Sequence, residues 1–208
     1  MKDREYERLM RLKNIEKELY RQDWDKICGI DEAGRGPLAG PVVVAAVIMP
    51  QDSMIEGVND SKKVTEKRRE ELYDIIKEEA ISYSIAVIER DVIDKINILN
   101  ATKQGVKKVI EDLDVKPDLI LVDALKDIDT KQIPYQSIIK GDTKIYNIAA
   151  ASILAKVTRD RIMRQWDEIY PQYGFIAHKG YGTQKHIEAI KQYGLLPIHR
   201  KSFTKKYQ

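Results

Sequence analysis

Residues 27–40, Ile27-Cys28-Gly29-Ile30-Asp31-Glu32-Ala33-Gly34-Arg35-Gly36-Pro37-Leu38-Ala39-Gly40, decide how the chain is read. The stretch opens as a short apolar strand, sets two adjacent carboxylates at its end, and breaks into a glycine loop carrying one arginine. It continues directly as Pro41-Val42-Val43-Val44-Ala45-Ala46-Val47-Ile48, a β-branched run too apolar for an exposed edge. Strand, acidic pair, turn and strand make a hairpin with its chemistry at the bend. Gly34, Gly36 and Ala39 also fit the letters of a dinucleotide-binding fingerprint. That fingerprint needs a helix after its glycines, so that a pyrophosphate can sit on the helix N-terminus. A valine-rich strand follows instead, and Asp31-Glu32 would place negative charge beside the phosphates. The context fails.

Outward from the hairpin, residues 82–89 predict a third strand that closes an antiparallel meander. Helices are predicted over residues 65–80 and 97–113. Thr65 suits the N-cap of the first, with Leu72, Ile75 and Ile76 as its apolar stripe. Leu119-Ile120-Leu121-Val122-Asp123 is apolar throughout and is reached through a helix, which marks a parallel-type strand ending on a carboxylate. In open α/β sheets ligands sit beyond the carboxyl ends of strands. Asp123 therefore meets Asp31 and Glu32 if their strands are neighbours. Residues 135–139 predict a fifth, shorter strand leading to Lys140-Gly141-Asp142, and a long helix follows over 144–166. Its Ala149-Ala150-Ala151-Ser152 start carries small side chains that let a helix approach a sheet closely. Asp142 fits an N-cap, a site acid, or both. Asp160, flanked by Arg159 and Arg161, reads as an ordinary surface pair.

A chain of 208 residues suits one large domain, or a main domain with a small appendage. At 43% hydrophobic and 33% charged residues it is expected to be soluble, with a sizeable core. No apolar run approaches a membrane span and no secretory leader opens the chain. The single cysteine, Cys28, has no partner for an internal disulfide and reads as a small buried apolar residue. These features favour the cytoplasm. The net charge of +3 says little, but residues 178–208 hold seven Lys/Arg against one acid, Glu188. Such a surface suits a polyanion, and it equally suits a solvated end. Residues 3–21 predict one highly charged packing or spacer helix in which no polar residue stands out. His178, His186 and His199 are scattered without zinc spacing, and no nucleophile elbow, P-loop or Cys–His pair is found.

The stretch around Asp31 resembles ribonuclease HII, the type 2 branch of the ribonuclease H family, whose signature is Asp-Glu-x-Gly-Arg-Gly. Asn59-Asp60-Ser61-Lys62-Lys63, Lys140-Gly141-Asp142, residues 149–160 (AAASILAKVTRD) and His178-Lys179-Gly180-Tyr181-Gly182-Thr183 resemble that family in the same order, over residues 28–203. The resemblance implies an α/β, ribonuclease H-like fold: a five-stranded mixed sheet with helices on both faces and a C-terminal helical subdomain. The chain then divides into a charged N-terminal extension (1–26), a catalytic domain (27–169) and a basic substrate-binding piece (170–208). The implied activity is endonucleolytic cleavage of the RNA strand in RNA–DNA hybrids, and incision 5′ of single ribonucleotides embedded in duplex DNA. Cleavage would leave 5′-phosphate and 3′-hydroxyl ends.

By the same resemblance Asp31, Glu32, Asp123 and Asp142 are the catalytic acids and the ligands of Mg²⁺ or Mn²⁺, hard cations that prefer oxygen. Two such ions about 3.5–4 Å apart are implied. Gly34, Arg35 and Gly36 are implied to read the 2′-hydroxyl, the mark that separates RNA from DNA, and Tyr181 to stack on the sugar downstream. Taken without the family, Tyr181 fits a half-buried core tyrosine. Ser61, Lys62, Lys63 and Lys179 become a phosphate clamp, although spacing alone favours ordinary solvated charge for the lysine pair. Arg35 argues against the sister type 3 branch, which lacks the arginine in its glycine loop. The intact acids argue against a hybrid-binding protein that has lost its metal site. Ala124 departs from the pattern, which has glycine after the acid of that strand. Nucleic acid is the expected partner, with no membrane, and the chain is expected to act as a monomer.

Overall fold

The computed structural model describes residues 3–207. Its centre is a five-stranded sheet in the order β3-β2-β1-β4-β5. Strands β1 (Ile27–Ala33) and β2 (Val42–Ile48) form the hairpin, in antiparallel register from Cys28↔Ile48 to Ala33↔Val43. Strand β3 (Ser82–Ile88) pairs antiparallel with β2, completing the meander. On the other side of β1 lie β4 (Leu119–Asp123) and then β5 (Tyr135–Ile138), both in parallel pairing. The sheet is therefore mixed, as expected.

All seven residues of β2 are buried, because helices cover both faces of the sheet. Val43, Ala45 and Val47 pack with Leu72 and Ile76 of α3 (Glu66–Glu79) and with Ala150 and Leu154 of α5 (Tyr146–Ile169). Val42, Val44 and Ala46 face the opposite way, against Val106 and Val109 of α4 (Arg90–Glu111). Helix α5 runs so close to β1 that a Cβ on Gly29 would lie 2.2 Å from the Asn147 carbonyl carbon. Ala149, Ala150 and Ala151 are fully buried there, so the small-residue start does what its composition predicts. Cys28 is buried in the sheet, and burial pushes its thiol up to about 12.

Helix α4 contains a break at Asn97, whose φ of 65° leaves the helical region. The Asn97 side chain accepts the Asn100 N–H at 3.0 Å and starts the helix afresh. The predicted start at residue 97 found this cap and missed the helical segment before it.

The single helix predicted over residues 3–21 is instead two, α1 (Asp3–Leu12) and α2 (Asn14–Tyr20), and two of its charges do stand out. Lys13, at the joint, is buried and donates to the carbonyls of Gln51 and Ser53 at 2.7 and 2.6 Å. Glu16 is buried and accepts the Asn147 N–H at 2.8 Å, at the start of α5. Burial pushes its carboxyl up to about 7. The N-terminal pair is thus fastened to the loop after β2 and to α5 by polar bonds that hydrophobic spacing does not reveal.

Beyond α5, helices α6 (Phe175–His178), α7 (Gln184–Tyr193) and α8 (Lys201–Thr204) gather around Tyr173, Phe175, Ile190 and Ile198. This cluster also includes Leu38 and Ala39 of the glycine loop. The Leu38 N–H donates to the Gly180 carbonyl at 2.8 Å, and the Gly40 N–H to that of Ile198 at 2.9 Å. The C-terminal piece therefore grips the loop at the hairpin bend.

The three histidines, scattered in sequence, converge here. The His178 and His186 rings stack with centroids 4.4 Å apart, and the Nε2 atoms of His186 and His199 are 3.0 Å apart. Backbone groups of Tyr173, Gly180, Tyr181 and Leu196 occupy the remaining ring nitrogens, so the cluster is packed core without an open metal position. Among the described residues, no helix is long and apolar enough to cross a membrane.

Candidate active site

The parallel register Ile30↔Val122 puts Asp31 and Asp123 side by side at neighbouring strand ends. Asp142 enters from the 3-10 turn Gly141–Thr143 that precedes α5. One carboxylate oxygen from each of the three lies within 4.8 Å of the others. Asp31 Oδ1 accepts the Glu32 N–H, and Asp123 Oδ1 accepts the Gly141 N–H, each at 2.7 Å. The second bond ties the end of β4 to the turn carrying Asp142. Asp142 does not cap α5, whose cap position is Ile145. The departure at Ala124 leaves the local path intact: its φ is 43° and its N–H donates to the Ile138 carbonyl at 3.1 Å. Alanine holds this left-handed conformation at a cost of roughly 1–2 kcal/mol, which glycine would not bear.

Burial, followed by the charges of Glu32 and Asp123, drives the Asp31 pKa well above the usual carboxylate range. Burial, Asp60 and Asp123 likewise raise that of Asp142. The cluster is thus short of positive charge. Lys62 Nζ, 3.6 Å from Asp142, is the side-chain cation nearest to hand among the described ion pairs. Burial disfavours its charge, but Asp142, Asp60 and Asp31 outweigh this and raise its pKa. Three converging oxygens in an excess of negative charge fit a hard divalent cation, and the donor set holds no nitrogen or sulfur ligand. Glu32 stands outside this trio, its Oε1 3.3 Å from Arg35 Nη1. Burial raises its pKa against the pull of Arg35.

Two buried arginines hold the glycine loop. Arg200 donates to the carbonyls of Gly34, Arg35, Gly40 and Pro41 at 2.6–3.1 Å. Arg159 donates to those of Pro41, Ala39 and Lys179 at 2.9–3.1 Å. Gly34 has φ of 100°, and a Cβ there would lie 2.1 Å from Arg159 Nε. Neither arginine is singled out by sequence reasoning, though Arg159 lies inside a stretch that carries the family resemblance.

Asp160 is the clearest correction. It is 2% exposed rather than on the surface, 2.6 Å from Lys156 and 3.6 Å from Arg69. Arg159 turns to the glycine loop while Arg161 pairs with Glu70 at 2.6 Å. Consecutive helical residues point about 100° apart, so adjacency in sequence does not make a pair.

A cleft of about 380 Å³ joins Asp31 and Glu32 to the loop. Asp31, Glu32, Gly34, Arg35 and Gly36 line one part of it; Ser61, Lys62, Lys156, Arg159 and Tyr181 line the rest. Lys156 is a further residue that sequence reasoning missed. Tyr181 is 46% exposed, and its ring would touch a Cβ on Gly36 at 3.5 Å, so it faces the loop from across the cleft and is no core residue. Ser61 is buried, its N–H donating to Ser152 Oγ at 3.2 Å. Two members of the expected clamp stand apart. Lys63 lines a neighbouring groove. Lys179 is 8% exposed and spends its ammonium on the Ile176 carbonyl at 2.8 Å, with Glu66 3.5 Å away.

A mixed five-stranded sheet, acids at the ends of two adjacent parallel strands and a third acid ahead of the central helix define a ribonuclease H-like hydrolase domain. The structure of ribonuclease H2 from Pyrococcus horikoshii is similar, with a TM-score of 0.74 and 29% identity, covering 88% of this chain and 96% of that one. The structure of Bst-RNase HIII in complex with Mn²⁺ shares the fold at a TM-score of 0.66 and 19% identity, covering 88% of this chain and 69% of that one. Within this class the chain belongs to the ribonuclease HII family, whose model, described as Ribonuclease HII, matches residues 28–206. Ribonuclease HII of Acetivibrio thermocellus is 56% identical over 205 residues, 99% of this chain and 80% of the relative. That of Clostridioides difficile is 56% identical over 204 residues, 97% of this chain and 79% of the relative. The protein is accordingly a type 2 ribonuclease H, an endonuclease that degrades the RNA of RNA–DNA hybrids and depends on a divalent metal.

Proposed function

We propose that this enzyme, besides cutting RNA in hybrids, incises duplex DNA on the 5′ side of a single embedded ribonucleotide and leaves 5′-phosphate and 3′-hydroxyl ends. The convergence of three carboxylate oxygens within 4.8 Å carries this reading, one of them from Asp31, which lines the cleft together with Gly34-Arg35-Gly36. Asp31, Asp123 and Asp142 would hold Mg²⁺ or Mn²⁺, with Glu32 at the rim. A pair of these ions, when bound, supplies an activated water and stabilises the leaving oxygen of an in-line displacement.

The chain's own residues do the rest. Strand ends and the bond from the Gly141 N–H fix the acids before substrate arrives. Lys62, 79% exposed beside Asp142, gives the phosphate a counter-charge. Arg159 and Arg200 bind the loop carbonyls, which holds the backbone of residues 34–36 in one shape. Gly36 has no side chain, so its backbone is open to a sugar lying beside Tyr181. That exposed backbone is where a 2′-hydroxyl is sensed, and the C-terminal piece, residues 170–208, steadies the duplex. Replacing Asp123 by Asn tests the assignment: turnover with Mg²⁺ or Mn²⁺ should fall at least about 100-fold while hybrid binding persists. Near-normal cleavage would remove Asp123 from the metal site.

A further inference from the structure

Beside the catalytic cleft lies a groove of about 530 Å³ between the N-terminal helices and the segment around Lys63. Its charged lining is Arg8, Arg11, Lys63 and Lys144, joined by Asn14 and Asn59, and no carboxylate lines it. The whole chain carries 36 Lys/Arg against 33 Asp/Glu, so an acid-free surface with four cations departs from the average composition of this protein. Lys63 and Lys144 are exposed and form no ion pair among the described residues. Arg11 is 72% exposed, and its acid neighbour Glu7 is 3.9 Å away and equally open to water, a pairing that screening makes weak. Arg8 is held in place by Glu5 and the Val58 carbonyl.

The groove also adjoins the acids along the chain. Thr143, on its wall, and Lys144 follow Asp142 directly, and Lys63 follows Lys62, which stands 3.6 Å from Asp142. A second groove, of about 660 Å³, shares Arg8, Asn59 and Lys63 and adds Arg4 and Arg68, together with Glu5 and Glu56. A line of cations, interrupted by acids only in this outer groove, thus leads from Lys62 along α1. The buried bonds of Lys13 to the Ser53 carbonyl and of Glu16 to the Asn147 N–H tie that wall to the loop after β2 and to α5.

We infer that the N-terminal helices form the outer wall of a second phosphate-binding surface, which holds the sugar–phosphate backbone of the duplex beyond the cut site. The inference rests on the nuclease reading above. A nucleic-acid backbone suits the groove better than an acidic protein segment, because the line of cations starts at the site where a polyanionic duplex must already lie. Such a backbone presents a charge every 1.7 Å or so of helix axis, matching a row of donors better than a single pocket.

The test is equilibrium binding of a long RNA–DNA hybrid and of one truncated at the cleft, without divalent cation so that nothing is cut. Wild type is compared with the double variant Arg11→Gln/Lys144→Gln across a salt series. Each phosphate that the protein no longer neutralises flattens the plot of log affinity against log salt by about 0.9, so the long hybrid should lose nearly 2 from its slope and the truncated one nothing. Arg11→Lys/Lys144→Arg, which keeps both charges, should restore the slope. An unchanged slope on the long hybrid would overturn the inference, as would an equal loss on both duplexes. In either case wild-type cleavage of the hybrid would leave the nuclease reading standing. Failure of the wild type to bind or cut any hybrid would overturn both.

Discussion

Replacing Asp31 by Asn should stabilise the metal-free protein while destroying its turnover. Asparagine keeps an oxygen to accept the Glu32 N–H, now 2.7 Å away, and removes one charge from three carboxylates whose oxygens lie within 4.8 Å. Two like unit charges at that separation repel by about 3.5 kcal/mol at an effective dielectric constant of 20. The full penalty is not borne, because burial and its neighbours raise the pKa of Asp31 and let it take up a proton more readily. A gain of about 1–3 kcal/mol at pH 8 remains, equal to roughly 2–12 °C in melting temperature for a chain of this length. Its pH dependence has a definite sign. A carboxyl whose pKa is higher folded than unfolded costs nothing below the unfolded value and its full penalty above the folded one. The advantage of asparagine should therefore shrink as the pH falls toward about 4. Calorimetry in chelator across a pH series measures it. Saturating Mg²⁺ should reverse the order, since a ligand at about 100 times its Kd adds about 2.7 kcal/mol to whichever protein binds it. A variant less stable than wild type in chelator at pH 8, or one stabilised as much by Mg²⁺, would refute this reasoning.

Arg159→Met leaves the carbonyls of Ala39 and Lys179 without their donor, while that of Pro41 keeps Arg200. Two orphaned buried acceptors cost about 1–3 kcal/mol each, so the urea midpoint should drop and cleavage at a lone ribonucleotide should fall with it. An unshifted midpoint would show that the loop does not depend on this guanidinium. Tyr181→Ala removes a stacking face worth about 1–3 kcal/mol. A lone ribonucleotide offers one junction and a long hybrid many, so the ratio of the two activities should fall; an unchanged ratio would place junction recognition elsewhere. Burial, with neighbouring imidazole charge adding to it in both, pushes His186 and His199 down to about 4. Their contribution to stability is complete above about pH 6.5 and is lost as the pH falls toward 4. NMR should find both rings untitrated at pH 5.5, and titration near 6.5 would mean that the cluster opens to water.

The hairpin, the meander and β4 are legible because apolar runs of five to eight residues, punctuated by glycine and proline, carry a local signal. The same local signal places Asp31 and Asp123 at strand ends, and the parallel pairing of β1 with β4 makes them meet. What the sequence hides is polar and long-range. Arg159 reads as half of a surface pair, yet it binds carbonyls about 120 positions earlier in the chain. Lys179 sits in a family motif, yet its ammonium turns back to Ile176. The histidines show no spacing pattern because α6, α7 and the residues before α8 bring them together only in three dimensions. Lys13 and Glu16 are buried by the break between α1 and α2, and a helical wheel drawn through residues 3–21 cannot show that break.

Cleavage of a DNA duplex carrying one ribonucleotide, with and without Mg²⁺ or Mn²⁺ and with the cut mapped to the nucleotide, tests the central claim most directly. Metal-dependent incision on the 5′ side of the ribonucleotide, leaving a 3′-hydroxyl and a 5′-phosphate, is the predicted result. Incision on its 3′ side with a cyclic phosphate end, or cleavage that persists in chelator, would contradict it, because neither follows from a carboxylate-held metal acting beside a loop that reads the 2′-hydroxyl.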